Sequence, residues 1–357
     1  MRRLLIVTVL ITGLMAPGAL AAEAADESWS LPRTAFGHPD FQGVWANNNA
    51  TPLERPAAWA DRETLSDAEL QDLIKAAQEV SGPGEDALFA DQLVLAAIEK
   101  DKAKSYDPAT GNYNGFWVSD RDFSNRTSLV TDPPNGRVPR LTDEKLEQVC
   151  AMLEHLSEHP ADSWLDRPIS ERCISYGMPF LLPGYNGYSQ IFQTEDHVVI
   201  QQEMIHDARI IPLGDRPELA DDIRLWHGNS RGWWEGDTLV VETKNFSPKS
   251  FFMFATEGMH MTERFTRIGP AHLEWEVTID DPTTWTTQWT ASIPLKGTDE
   301  AIFEYACHEG NYGMEGILAG HRAHEAQGKA PQMEQPENLF QAIDCSAVGA
   351  TATGGGR

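Results

Sequence analysis

The sequence predicts a mainly β protein with a helical N-terminal part. Its strands are expected to form an antiparallel meander, closed into a lipocalin-like barrel or bent into a strongly curved sheet, and covered by helices. Three observations support this fold class. After residue 184 apolar side chains recur with a period of two. Short turns rich in Gly, Pro and Asp separate these runs, as in antiparallel meanders. Helical spacing of apolar residues lies mainly between residues 65 and 160.

The predicted organisation has four parts. Residues 1–21 read as a signal peptide, because Arg2 and Arg3 precede an uncharged apolar run that ends in the small-x-small sequence Ala19-Leu20-Ala21. Residues 22–183 form an extended arm and a helical cover, and residues 184–312 form the β domain that carries the site. Residues 313–357 form a C-terminal helix and a tail tied back by a disulfide. A cleaved signal peptide predicts a periplasmic or secreted protein.

The charge balance restricts the partners. The chain has 28 basic and 54 acidic residues, a formal net charge of −26. Such a chain repels phosphate backbones and anionic lipid surfaces, so neither nucleic acid nor stable membrane insertion is expected. A neutral or cationic small molecule fits this charge better. The 11 Trp residues suit either a core or stacking against a ring. The oligomeric state is not predicted.

The N-terminal elements follow from capping and spacing. The extended arm at residues 22–56 is expected to be held by Phe41, Val44 and Trp45. Ser66 and Glu69 form a capping box that begins a first helix. A second helix is predicted over residues 86–104, and a third starts after Thr142 and ends before Pro160.

Eight strands are predicted in the β domain, about the number that closes around one small ligand. In the strand at 272–279, Leu273, Trp275, Val277 and Ile279 share one face, and polar residues share the other. That polar face is either solvent surface or the wall of a wet lumen. The predicted strands cover residues 188–193, 197–205, 209–212, 238–243, 260–267, 272–279, 285–293 and 302–306.

The four cysteines, Cys150, Cys173, Cys307 and Cys345, predict two disulfides in an exported chain. Three pairings exist, and the order along the chain favours Cys150–Cys173 and Cys307–Cys345, which close loops of moderate length. A Cys/His zinc site is the alternative, although no pair has C-x-x-C spacing.

The first candidate for chemistry is the charged end of the strand at 197–209. On a regular strand Glu203, Asp207 and Arg209 share a face, and His206 lies on the other. Carboxylates beside a histidine and an arginine are suited to proton transfer. We therefore expect Glu203, His206 and Asp207 to be catalytic and Arg209 to bind substrate. An ordinary surface ion-pair cluster is the alternative.

A second candidate is the predicted loop at 226–232, in which Trp226, His227, Asn229 and Arg231 are expected to bind substrate. The stretch Gly228-Asn229-Ser230-Arg231-Gly232 formally matches G-x-S-x-G. That motif needs a helix after it, whereas a predicted strand follows here. A tight hairpin loop is the alternative.

The third candidate follows the last predicted strand. His308 and Glu309, next to a disulfide cysteine, are expected to be catalytic, and Asn311 and Tyr312 to bind a substrate oxygen. No dinucleotide-binding, phosphate-loop or haem-attachment sequence is present. No cofactor is therefore expected, although a metal ion held by His206, His227 and His308 stays an alternative.

Several long motifs resemble a large, mostly uncharacterised family of secreted bacterial proteins. The segments are 37–45, 51–56, Glu-Met-Ile-His-Asp-Ala-Arg at 203–209, Trp-Glu-Gly-Asp-Thr-Leu-Val-Val at 234–241, 281–285 and Tyr-Ala-Cys-His-Glu-Gly-Asn-Tyr at 305–312. The resemblance spans nearly all of the chain after the signal peptide. It implies export and brings no reaction with it.

The combined expectation is a periplasmic, cofactor-independent hydrolase. It uses His/carboxylate acid–base chemistry on a neutral, ring-containing small molecule, at a glycosidic or aryl-ether bond. A lyase or dehydratase with the same residues, a lipocalin-like binding protein and a metal-dependent enzyme are the alternatives. All of them require the three candidate segments to meet in one concave space.

Overall fold

Over the residues that it describes, the computed structural model shows a nearly closed antiparallel β-barrel with four α-helices, and so confirms the predicted mainly β fold. From Leu31 onward the chain forms one compact unit. The predicted signal peptide lies outside the described residues. These are residues 29–81, 86–100, 114–181, 184–215, 217, 219–250, 252–329 and 343–348.

The first and third helices begin where their caps predict. The capping box of Ser66 and Glu69 is present at the first helix, and Thr142 Oγ1 accepts a hydrogen bond from the Lys145 amide at the third. The second helix is shorter than predicted at its start, because Ala90 has a positive φ of 44° and interrupts helical backbone there. No helix in the described chain is long and apolar enough to cross a membrane. The helices are α1 Asp67–Val80, α2 Gln92–Glu99, α3 Asp143–Glu158 and α4 Tyr312–Ala326.

Ten strands form one antiparallel sheet in the order β5-β4-β3-β1-β10-β9-β8-β7-β6, and β2 pairs with β10 beside this path. They are β1 Gly43–Ala46, β2 Val130–Asp132, β3 Tyr188–Gln193, β4 His197–Gln202, β5 Ala208–Pro212, β6 Asn229–Glu235, β7 Thr238–Lys244, β8 His260–Gly269, β9 His272–Asp280 and β10 Trp289–Thr298.

The two ends of the sheet meet just after β5. Leu213 bridges to Gly232 of β6, and the Gly214 amide donates to the Gly232 carbonyl at 3.1 Å. A Cβ atom on Gly232 would lie 2.9 Å from Leu213 Cδ2 and 3.1 Å from Ile211 Cγ2. Glycine is therefore needed for this close approach, which nearly closes the barrel.

The barrel interior is filled by apolar side chains. Leu273, Trp275, Val277 and Ile279 all point inward and are at most 5% exposed, as their alternation predicts. The polar residues between them lie on the outer face, so this face of β9 does not line a lumen. The other buried interior side chains include Trp45, Ile191, Val198, Ile200, Ile211, Leu239, Val241, Met261, Phe265, Ala291, Ile293 and Leu295.

Three strands were not predicted. The extended arm supplies β1, which lies between β3 and β10 and buries Phe41 and Trp45 at 0% and 2% exposure. Val130–Asp132 pairs with β10. The segment at 226–232, predicted as a ligand-binding loop, forms strand β6 from Asn229 onward. Its Gly232 lies at the barrel seam and not in a turn.

Two predicted strand positions are wrong. Residues 302–306 form no strand, because their backbone is held by side chains: the Phe303 amide donates to Glu203 Oε1 at 2.9 Å. The last strand begins at Trp289 rather than Trp285, because residues 281–285 form a turn around buried Asp281. The Thr284 and Trp285 amides donate to the Asp281 carbonyl, and the Asp281 carboxylate accepts from the Thr256 amide.

The disulfide pairing predicted from chain order is wrong. Cys150 of α3 bonds to Cys345, and Cys173 bonds to Cys307, with Cα–Cα distances of 5.7 and 5.5 Å. Loop closure depends only weakly on loop length, about 0.6 kcal/mol per doubling, so short loops have little advantage. The fold instead decides which cysteines are neighbours.

The barrel seam yields a stability prediction. Gly232→Ala should lower the free energy of unfolding by about 1–3 kcal/mol, because Leu213 and Ile211 must move to admit the methyl group. Urea denaturation measures this change. Gly269→Ala is the matched control, since the nearest atom to its added Cβ is at 3.4 Å, an ordinary contact. Equal effects of both substitutions would contradict the tight seam.

Asp91, which precedes α2, yields a pH prediction. Its two oxygens each accept the Leu53 amide at 3.0 Å, and burial raises the pKa of its carboxyl to about 6, although the Leu53 amide and Arg121 oppose this shift. The folded state therefore binds the proton more tightly than the unfolded state, and the resulting stability is lost as pH rises through about 6.

Relative to Asp91→Asn, the wild-type protein should thus lose about 2 kcal/mol of unfolding free energy between about pH 4 and about pH 7. Urea titrations at several pH values test this. Asp72→Asn, at an exposed position of α1, should show no comparable trend relative to the wild type. A pH-independent difference for Asp91→Asn would refute the assignment.

Candidate functional site

A small groove, mostly apolar but containing several charged and polar side chains, lies at the end of the barrel where β4 turns into β5. It has two lobes, of about 20 Å³ and about 10 Å³. Both lobes are lined by Met178, Phe180, Gln202 and Arg209. By this measure a single water needs about 10–15 Å³, so each lobe takes a group no larger than one or two waters.

A sharp turn between β4 and β5 gives the groove its carboxylate. Ile205 and His206 have positive φ values of 54° and 45°, and the Gln202 amide donates to the Asp207 carbonyl at 2.7 Å. The predicted continuous strand over 197–205 therefore ends at Gln202, and Glu203, Asp207 and Arg209 do not share one strand face. Asp207 and Arg209 both line the groove, whereas Glu203 turns to the Phe303 amide.

Asp207 meets His227 in the second lobe. Asp207 Oδ2 lies 3.2 Å from His227 Nε2, and the same nitrogen lies 2.7 Å from Ser175 Oγ. His227 and its two partners, Asp207 and Ser175, come from three separate segments of the chain. Both titratable side chains are only partly exposed, 23% for Asp207 and 17% for His227, so solvent reaches the pair from the groove mouth.

The geometry differs from a nucleophilic serine triad. There the carboxylate and the serine contact opposite ring nitrogens, whereas here both contact Nε2. Ser175 is 1% exposed and its Oγ accepts a hydrogen bond from the Gly177 amide at 2.9 Å. Ser175 therefore orients the imidazole, and His227 with Asp207 forms the pair that a substrate can reach.

The segment from Ser175 to Phe180 forms one wall of the groove. It follows Cys173, whose disulfide to Cys307 ties this wall to the chain before α4. Tyr176 stacks edge-on against Phe180 with ring centroids 5.5 Å apart, and is 42% exposed. Partial burial, and to a lesser degree neighbouring Tyr305, raise the pKa of Tyr176. Its phenol therefore stays protonated at neutral pH and can donate to a substrate oxygen.

A buried ion pair forms the floor of the first lobe. Arg209 of β5 donates to both oxygens of Glu263 of β8, at 3.1 and 2.5 Å, and Trp275 Nε1 donates to Glu263 Oε1 at 3.1 Å. Glu263 is 0% and Arg209 6% exposed. Such a bidentate pair in a dry environment holds the guanidinium rigidly.

The other residues predicted for the site lie elsewhere or serve the fold. The exposed His206 ring contacts the Tyr305 carbonyl through Nδ1 at 3.0 Å. Asn311 caps α4 and donates to the Glu171 carbonyl at 3.0 Å. Tyr312 is 78% exposed. Among the described residues, the groove lining contains neither these three nor Glu203, His308, Glu309, Trp226, Asn229 or Arg231.

The segment at 226–232 is divided between loop and strand. Trp226 stays at the surface, 37% exposed, beside His227. Ser230 points inward and pairs with Thr243 Oγ1 at 2.9 Å, so Asn229 and Arg231 lie on the outer face of β6. The formal G-x-S-x-G match thus lies inside a strand and forms no nucleophile elbow.

The described part of the chain contains no group of three or more His, Cys, Asp or Glu side chains arranged to hold a metal ion. In particular, His206, His227 and His308 do not assemble into the ligand set considered from the sequence.

Sequence reasoning missed Ser175, Tyr176, Gln202 and Glu263. Glu263 carried a usable signal, because it lies between Met261 and Phe265 on the apolar face of a strand with period two. A charge at such a position needs a buried partner. The segment around Ser175 has no periodicity, and its only signal was the nearby Cys173.

The buried pair yields a further prediction. Glu263→Gln should lower the free energy of unfolding by about 3–5 kcal/mol, because it leaves the Arg209 guanidinium buried without a counter-charge. The double change Arg209→Met with Glu263→Met should cost less than Glu263→Gln alone. Thermal and urea unfolding measure both.

Glu235→Gln is the control for this prediction. It removes an ion pair with Arg264 at 2.8 Å whose side chains are 47% and 40% exposed, and such surface pairs contribute little. A similar loss for Glu235→Gln and Glu263→Gln would show that the buried pair has no special role.

No protein-family model, no curated protein and no solved structure matches this chain. The motif resemblance to secreted bacterial proteins therefore stays a prediction. Fold alone does not determine function, so the function has to be argued from the groove.

Proposed function

We propose that this protein is an enzyme that transfers protons by general acid–base catalysis, with His227 and Asp207 as the working pair. The observation that carries the proposal is the contact of His227 Nε2 with Asp207 Oδ2 at 3.2 Å, at the mouth of a groove. Histidine is the side chain best suited to exchanging protons near neutral pH, and a neighbouring carboxylate orients it and stabilises its charged form. His227 thus takes the role that the sequence suggested for His206 or His308.

The shape of the groove supports a small ring-containing substrate. Its lobes admit only a substituent the size of one or two waters. The ring of the substrate would therefore stay at the mouth, beside Tyr176, which lines the second lobe and is 42% exposed. Aromatic faces of this kind bind sugar and aryl rings.

The local charge supports a neutral substrate. Glu263 neutralises Arg209, so this guanidinium, the one Lys or Arg group among the described residues that line the groove, is not free to bind a carboxylate or phosphate. Asp207 and the overall charge of −26 disfavour anions further.

The reaction is proposed to be hydrolysis of a glycosidic or aryl-ether bond, with elimination by a lyase or dehydratase as the alternative. In hydrolysis His227 takes a proton from water and returns it to the leaving oxygen. In elimination it takes a proton from carbon and returns it to the leaving group. Neither route needs a cofactor in this proposal, and a metal-dependent reaction remains a separate hypothesis.

The packed interior weighs against a lipocalin-like carrier. Such proteins hold a ligand inside the barrel, whereas here Trp45, Trp275, Ile293 and their neighbours fill that space. Two disulfides are typical of an oxidising compartment, and we propose a periplasmic or secreted location.

The proposal is tested by incubating the protein with a panel of neutral plant-derived glycosides and aryl ethers and detecting products by mass spectrometry. Product masses that sum to substrate plus one water indicate hydrolysis, and masses that sum to the substrate alone indicate elimination. His227→Asn should lower kcat/KM for any substrate found by about 100-fold or more.

The matched controls are His206→Asn and His308→Asn, which change histidines outside the groove lining and should retain activity near the wild-type level. If His227→Asn keeps full activity while one of the controls loses it, the proton-transfer pair has been placed at the wrong histidine. Loss in none of the three variants would argue against acid–base catalysis by histidine.

A further inference from the structure

The first lobe of the groove contains two buried hydrogen-bond donors without a partner among the described residues. They are Nδ2 of Asn47, at the end of β1, and Nε of Arg209. The residues are 4% and 6% exposed. Buried donors are nearly always satisfied in folded proteins, so two of them on one small cavity point to a ligand.

The oxygens around this lobe are already engaged with protein donors. Glu263 accepts from Arg209 and Trp275, and Gln202 Oε1 accepts from Ser189 Oγ at 2.8 Å. Asn47 Oδ1 accepts from Asn49 Nδ2. The lobe therefore has two unused donors, whereas the acceptors of Glu263, Gln202 and Asn47 each already receive a hydrogen bond, which favours a group that only accepts hydrogen bonds.

We infer that this lobe binds a ring carbonyl oxygen of the neutral substrate, so that the glycosides or aryl ethers that the groove accepts also carry a lactone or cyclic ketone group. The inference rests on the proposed function, because it names the substrate class of the same groove. A hydroxyl group needs an acceptor as well as a donor. A carboxylate would place a second negative charge beside buried Glu263, which is unfavourable in a dry site. A carbonyl oxygen matches both the charge and the volume of about 20 Å³.

The position of this lobe relates it to the proton-transfer pair. Arg209 and Gln202 line both lobes, and the second lobe is also lined by Asp207 and His227. A carbonyl held by Asn47 and Arg209 thus places the adjoining ring atoms toward His227. The same two donors favour negative charge that develops on the oxygen during the reaction.

Trp275 provides a readout of binding that does not depend on turnover. Its indole N–H donates to Glu263 Oε1 at 3.1 Å, and the residue lines the first lobe. The indole signal in a ¹H–¹⁵N spectrum, identified by its loss in Trp275→Phe, should shift saturably with cyclohexanone. Cyclohexanol should bind at least tenfold more weakly than cyclohexanone, because it has no carbonyl.

Variants locate the binding atom. Asn47→Ser should weaken cyclohexanone binding about tenfold or more. The control Thr51→Ser changes another buried polar side chain of the same arm, at 4% exposure, which pairs with Ser124 Oγ at 3.0 Å and is not part of the lobe lining, and it should leave binding unchanged. His227→Asn should retain binding, even though the proposed function expects it to abolish turnover.

The inference is overturned if the wild-type Trp275 signal shows no saturable shift, if cyclohexanol binds as tightly as cyclohexanone, or if folded Asn47→Ser binds as tightly as the wild type. The comparison of the two probes with wild-type protein decides the question even if Asn47→Ser fails to fold. If the protein does not bind cyclohexanone but its turnover of a substrate depends on His227, the carbonyl inference is wrong and the proposed function is still supported. The reverse result, carbonyl binding without a role for His227 in turnover, removes only the proposed function.

Discussion

The buried ion pair between Arg209 and Glu263 is the interaction on which the site depends. It spans the barrel interior from β5 to β8, close to the seam where the sheet ends meet. Burial of these two charged groups is tolerated only because each is hydrogen-bonded. The Trp275 indole donates a further hydrogen bond to the Glu263 carboxylate. The pair thereby holds a guanidinium rigidly at the floor of a groove, neutralises it, and leaves one N–H directed away from its carboxylate partner.

The periodicity of the sequence was sufficient to predict the fold class, but it did not predict strand β6 or the disulfide pairing. Tyr188–Gln193 and the inward face of β9 follow directly from alternation, and α1 follows from its capping box. Strand β6 was not predicted because Asn229, Ser230 and Gly232 favour turns. The need for glycine at position 232 is explained only by the seam contact with Leu213. The disulfide pairing was predicted wrongly because tertiary contacts, which chain order does not encode, decide which cysteines are neighbours.

Some residues of the site could be predicted from the sequence, but their arrangement could not. Asp207, Arg209 and His227 were all expected to contribute, yet the turn at residues 203–206 decides which of the clustered charges reach the groove. Two consecutive positive φ values, at Ile205 and His206, have no clear signal in those residue types, since glycine and asparagine are the usual choices. Ser175 and Tyr176 come from an irregular segment that no periodic pattern describes.

The Cys173–Cys307 disulfide has a topological effect beyond its local contact. All strands from β3 to β10 lie between the two cysteines in the chain, so most of the barrel belongs to one covalent ring, fastened next to the groove wall. A protease that cuts an exposed connection within this ring, such as residues 219–224, would open the ring without releasing either piece. Both strands of the seam and the wall carrying Ser175 would remain parts of a single molecule.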